Sequence, residues 1–223
     1  MQTLTLYASV VLTSALALAA TPEQKRLEDA AEVFAEVMDT PDRTIPQNLL
    51  DKAECVIVVP GMKKGAFIFG AKYGRGFACC RKERVGWSAP AAVRVEGGSF
   101  GLQIGGAESD VIMLVMNKRG MERLLSSKFT LGGDATAAAG PVGRQAQADT
   151  DATLRAEILT WSRSRGLFGG ISLQGATLRP DEDVNRHLYG RPITNREILT
   201  TGVNAPRGGE RLMNLLNKYS SRK

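Results

Sequence analysis

The sequence contains one histidine, His187, and three cysteines, Cys55, Cys79 and Cys80. A single imidazole provides no histidine metal cluster and gives little basis for a histidine-based triad. There is no CxxC and no Cys/His pair at zinc spacing, so neither a metal nor a cofactor is expected. With three thiols, at least one has no intramolecular partner. Cys79 and Cys80 would point to opposite faces of a strand. A bridge from Cys55 to either of them is open, and buried reduced thiols are the expected state. Aromatic residues are few, at 6%, too few for an extended base-stacking platform, so nucleic acid is not an expected partner. Glycine-rich phosphate cradles are missing as well: no GxGxxG leads into a helix and no GxxxxGK[ST] occurs. Ser162 and Ser164 have no neighbouring base, and the acidic trio Asp181, Glu182 and Asp183 lacks EF-hand spacing. That trio is better suited to balancing a helix N-terminus. No constellation for catalysis is present, and the chain is expected not to be an enzyme.

Glycine and positive charge are abundant. The 24 glycines among 223 residues exceed the usual share of roughly 7%. Most of the excess falls between Gly61 and Gly175, which suggests strands with tight turns and bulges. The sequence pI near 9.4 favours polyanionic partners. The charge is concentrated in "GMKKGAFIFGAKYGRGFACCRKER", residues 61–84, where Lys63, Lys64, Lys72, Arg75, Arg81, Lys82 and Arg84 face one acid, Glu83. Its balance, 7 − 1 = +6, equals the formal charge of the whole chain. The stretch is either an anion-binding rim at the ends of adjacent strands or a solvated strand surface.

Residues Leu4 to Ala20 carry no charge. They read as a secretory h-region with an Ala17-Leu18-Ala19 cleavage site, so residues 1–20 are expected to be a signal peptide. A short membrane anchor is the alternative, although the run is marginal for a span. Thr21, Pro22 and Gln24 then predict a capped helix. Leu27, Ala30, Ala31, Phe34, Val37 and Met38 form its apolar stripe, and Pro41 ends it. A shorter helix is predicted over 46–54. "CVIVVP" begins a series of short Gly-separated strands through residue 117, too closely spaced for helical crossovers. Helices are predicted over 118–129 and from Asp151 to Gly166, a loop over 132–143, and a strand pair in "LFGGISLQGATLRP". Short helices follow Pro180 and Ile193, and an amphipathic helix occupies 206–223. The fold class is α+β, a single domain with an antiparallel or mixed sheet.

"AECVIVVPGMKKGAFIFGAKYGRGFACCR", "WSAPAAVRVEGGSFGLQIGG" and "AEILTWSRSRGLFGGISLQGATLRPDEDVNRHLYG" closely resemble the SYLF domain over roughly residues 25–205. The resemblance implies a lipid-binding domain over 21–205 with affinity for phosphoinositides and other acidic phospholipids. In yeast relatives it also implies actin binding. Carried onto this sequence, it points to Lys25 and Arg26 on the first helix and to Lys63, Lys64, Lys72 and Arg75. With an export signal expected, the chain resembles a secreted or periplasmic bacterial member. Anionic envelope lipids are then the expected ligand, and a scaffolding role toward a protein partner is the alternative. No small-molecule substrate is expected.

Overall fold

A computed structural model describes residues 20–40, 45–66, 69–82, 86–100, 105–142, 155–164 and 167–220. The expected signal peptide, Pro41, Arg84, Asp151 and Gly166 lie outside these, apart from Ala20. Among the described residues, no helix is long and apolar enough to cross a membrane.

The first helix, α1, spans Pro22–Asp39. Its start is the predicted capping box: the Gln24 amide donates to Thr21 Oγ1 at 3.2 Å, and Thr21 N–H donates to Gln24 Oε1 at 3.1 Å. The whole stripe from Leu27 to Val37 is buried. After α2 (Gln47–Lys52) the chain enters four long strands, β1 (Cys55–Ala66), β2 (Phe69–Cys80), β3 (Ala91–Phe100) and β4 (Gly105–Val115). β1 is twice the length of the "CVIVVP" run that signalled it, because pairing with β2 and β4 carries the strand well past its hydrophobic residues. Next come α3 (Lys118–Leu124), β5 (Phe129–Thr130), β6 (Ala137–Ala139), β7 (Ile158–Ser164), β8 (Leu167–Gly170) and β9 (Thr177–Pro180). Helices α4 (Glu182–Tyr189), α5 (Asn195–Thr200) and α6 (Gly209–Tyr219) follow.

The strands form one sheet in the order β5-β9-β3-β2-β1-β4-β7-β6, with β8 also on β7. All pairs are antiparallel except β6 with β7, which makes the sheet mixed and the fold α+β. Both faces are covered. Val56, Val58, Phe77, Leu114 and Trp161 meet α1, α2, α4 and α6 on one side. Ile57, Val59, Met62, Val95 and Met113 meet α3 and α5 on the other. Two-sided burial explains why "CVIVV" is uninterrupted rather than alternating. The C-terminal segment joins this core through Leu212 and Leu216. A polar pin docks α4 and α5 on β3: Ala92 N–H donates to Asn185 Oδ1, Asn185 donates to Asn195, and Asn195 donates to Ala92 C=O.

Four expectations are corrected. Residues 158–164 are a strand and not a helix, because β4 pairs along Ile158–Arg163 and buries Ile158 through Trp161. The predicted loop over 132–143 contains β6, which runs parallel to β7. β8 and β9 do not pair with each other: β8 adds to β7, while β9 lies between β3 and β5. Finally, Cys55 and Cys80 are disulfide-bonded, since the β1–β2 register sets them directly opposite each other. Cys79 points to the other face and stays a free, buried thiol, and burial pushes its pKa upward.

Candidate basic surface on the β1–β2 hairpin

The seven basic residues of 61–84 do not form one rim. Lys72 lies near the start of β2, whereas Arg81 and Lys82 lie past its end. Ten residues of extended chain separate Lys72 from Lys82, about 33 Å. Arg81 is buried and is not a surface cation. Its Nε donates to Ala53 C=O at 2.8 Å, its Nη1 to Ser220 C=O at 3.0 Å and its Nη2 to Leu50 C=O at 3.0 Å. The guanidinium also stacks 4.3 Å from the Trp87 ring centre. Strand alternation carries this arginine under the end of α2, where backbone carbonyls need donors. Lys82 is exposed at that same far end.

A β-bulge divides the remainder. The β1 register shifts between Val59 and Met62, and beyond it Lys63 is opposite Tyr73 while Lys64 is opposite Lys72. Alternation from buried Phe77 places Arg75, Tyr73 and Lys63 on the α1 face. Lys72 and Lys64 take the opposite face, the one on which a Cβ at Gly74 would meet Val59 and Met62. Lys63 and Lys64 are exposed, and Tyr73 is 43% exposed. Among the described residues, none of these three lysines has an ion-pair partner. Arg75, in contrast, is tied to the buried carboxylate of Asp181, with Nε 3.0 Å from Oδ2. On α1, Lys25 pairs with Asp29 one turn away. Arg26 lines a cavity of about 450 Å³ beside Asp29, Glu32, Glu36, Glu108 and Asp110, a mostly acidic setting. Burial raises the Asp110 pKa against the hydrogen bond from Gly61 N–H, and Glu108 and Asp29 add to the rise.

Of the described basic residues singled out in sequence, Lys64 and Lys72 are therefore the ones brought together on one face without an ion-pair partner among the described residues, while Lys63 stands on the other face across from Glu108. Arg94 and Arg179 escaped notice, although each stands in strict alternation with apolar neighbours, which marks an outward-facing strand position.

Like charges opposite one another destabilise a strand pair, and a bound anion relieves that repulsion. Burial, and then the neighbouring charge of Lys64, lower the Lys72 pKa from 10.5. An anion held at this pair would need Lys72 protonated, so its affinity should begin to fall at a pH lower than an ordinary lysine would dictate. Lys72→Arg, which stays charged, should remove this early loss. Titrating anion affinity from neutral to alkaline pH for both chains checks it.

The fold and this surface describe an α+β domain with a cationic hairpin. The chain matches the Ysc84 family, described as "Las17-binding protein actin regulator", over residues 96–219. It belongs to that family, the group with the SYLF domain. The rat SH3 domain-containing YSC84-like protein 1 is 32% identical over 203 residues, covering 90% of this chain and 59% of the relative. The human protein of the same name is 30% identical over 203 residues with the same coverage. Protein YSC84 of Saccharomyces cerevisiae is 29% identical over 178 residues, covering 78% of this chain and 38% of the relative. The chain thus spans about half the length of the curated relatives it matches.

Proposed function

We propose that this chain is a non-enzymatic interaction module that docks a protein partner with an acidic surface at the β1–β2 hairpin, chiefly through Lys64 and Lys72. The observation that carries this reading is the cross-strand pair Lys64–Lys72, two like charges directly opposite each other with no ion-pair partner for either among the described residues. Charge held without a local partner favours association with an opposite charge. The family description, which names Las17 binding and actin regulation, supports a protein partner and makes actin filaments the first probe.

A second reading places the same lysines on an acidic phospholipid membrane. The Lys64–Lys72 pair favours it, because each basic residue at an anionic bilayer contributes on the order of 1 kcal/mol. Export to a secreted or periplasmic location is part of this proposal. The Cys55–Cys80 disulfide supports it, since such bonds persist in oxidising compartments.

Co-sedimentation separates the two readings. The chain from Thr21 is pelleted with actin filaments, with neutral vesicles and with anionic vesicles, at low and high salt. A Lys63→Glu, Lys64→Glu, Lys72→Glu variant runs alongside, and it should weaken binding by on the order of 100-fold, most strongly at low salt. Filament binding without lipid supports the protein reading. Binding confined to anionic vesicles transfers the surface to the membrane. No binding in any arm overturns both.

A further inference from the structure

On the α1 face of the sheet, three arginines stand directly opposite one another across three adjacent strands. Arg75 of β2 faces Arg94 of β3, and Arg94 faces Arg179 of β9. Like charges in register destabilise a sheet. Among the described residues, two carboxylates serve all three. Asp181 meets Arg75, while the single Oε1 of Glu96 takes both a 2.8 Å hydrogen bond from Arg179 Nη2 and the Nε of Arg94 at 3.6 Å. Asp181 is 2% exposed and cannot leave its place, and the Arg94 contact is longer than a hydrogen bond. The side chains of Arg75, Arg94 and Arg179 are 37%, 27% and 36% exposed, so each is partly open to solvent.

We propose that this arginine row is a second anion-recognition site, separate from the lysine hairpin, and that it takes an acidic polypeptide segment. The ligand class follows from three features. Guanidinium forks bind carboxylates in a fixed planar geometry, which the compact ammonium of lysine does not offer. The row crosses three strands spaced about 4.8 Å apart, so its outer members stand about 10 Å apart and need more than one anionic group. Carboxylates one helical turn apart, at about 5–6 Å, match that step. Partial burial also favours a peptide over a flat bilayer: projecting lysines reach a headgroup plane, whereas arginines about a third exposed are better met by a side chain that reaches in.

The test is fluorescence anisotropy with a labelled polyglutamate peptide on the whole chain, comparing wild type, Arg94→Gln, Arg94→Lys and the triple lysine variant. Arg94 is the central member and makes the weakest internal contact. Arg94→Gln should raise Kd about tenfold, and Arg94→Lys, which keeps the charge without the fork, should fall between. Adding Arg94→Gln to the triple lysine variant should weaken binding by the same factor, which separates this site from the hairpin reading. Unchanged affinity for Arg94→Gln overturns the proposal and leaves an internal ion network only. Should that variant fail to fold, Arg94→Lys decides: weakened binding supports the site and wild-type affinity overturns it. Arg94-dependent capture by phosphatidylglycerol vesicles, or full displacement of the peptide by inorganic phosphate at comparable concentration, also overturns a polypeptide ligand.

Discussion

Replacing Arg81 with alanine is expected to lower unfolding stability by about 4 kcal/mol, the range found when a buried charged hydrogen-bonding group is removed. The substitution withdraws donors from the carbonyls of Leu50, Ala53 and Ser220, which remain buried. Each orphaned group costs about 1–3 kcal/mol. It also removes the cation from the face of Trp87, whose own Nε1–H donates to Ser220 C=O at 3.0 Å. Ser220 immediately follows α6, so Arg81 fastens the last helix to the end of β2. Urea unfolding should show a lower midpoint, and limited proteolysis under native conditions should release the α6 region first. Arg81→Lys should recover little, because an ammonium cannot span three carbonyls set for a guanidinium. A loss below about 1 kcal/mol would show that the clamp is dispensable.

Gly76→Ala is the second large effect, expected at about 3 kcal/mol or more. A Cβ there would lie 2.1 Å from the carbonyl oxygen of Val58 and 2.7 Å from Val59 Cα. Both obstacles are backbone, so no rotamer change relieves the clash. Val58 is the last paired residue before the β1 register shift. The same substitution should therefore disturb the bulge that turns Lys64 toward Lys72. Two readouts are predicted together: a lower thermal midpoint, and weaker anion binding by chains that remain folded. Gly65→Ala is the control, since nothing lies within 4 Å of a Cβ at that position and little should change. Full anion affinity in folded Gly76→Ala would show that the bulge does not position the lysines.

Local signals were legible where local chemistry decides the outcome. The Thr21-Pro22-Gln24 cap and the stripe through Val37 are satisfied within one helix, and they form as read. Gly190, at φ 68°, ends α4 where "NRHLYG" indicated. The opposite holds for Ile158–Ser164. An Asp151 cap and a Gly166 stop read as a helix on paper, but β4 and β6 supply pairing from both sides, and tertiary context overrides propensity. Cys55 and Cys80 are 25 residues apart, and only strand register makes them partners.

The candidate surface divides in the same way. The sequence by itself established an excess of positive charge and its concentration in 61–84. The resemblance carried by the long Gly-rich motifs pointed to the right family. Only the tertiary structure decided which of those charges are free to act. Arg81 went to the core, Arg75 to Asp181 and Lys63 across from Glu108, while Lys64 and Lys72 were left facing each other without an ion-pair partner among the described residues. The physical reason is that a charge's availability depends on its neighbours across the sheet. Those neighbours are set by register and by a single bulge, both properties of paired strands and not of one stretch read along the chain.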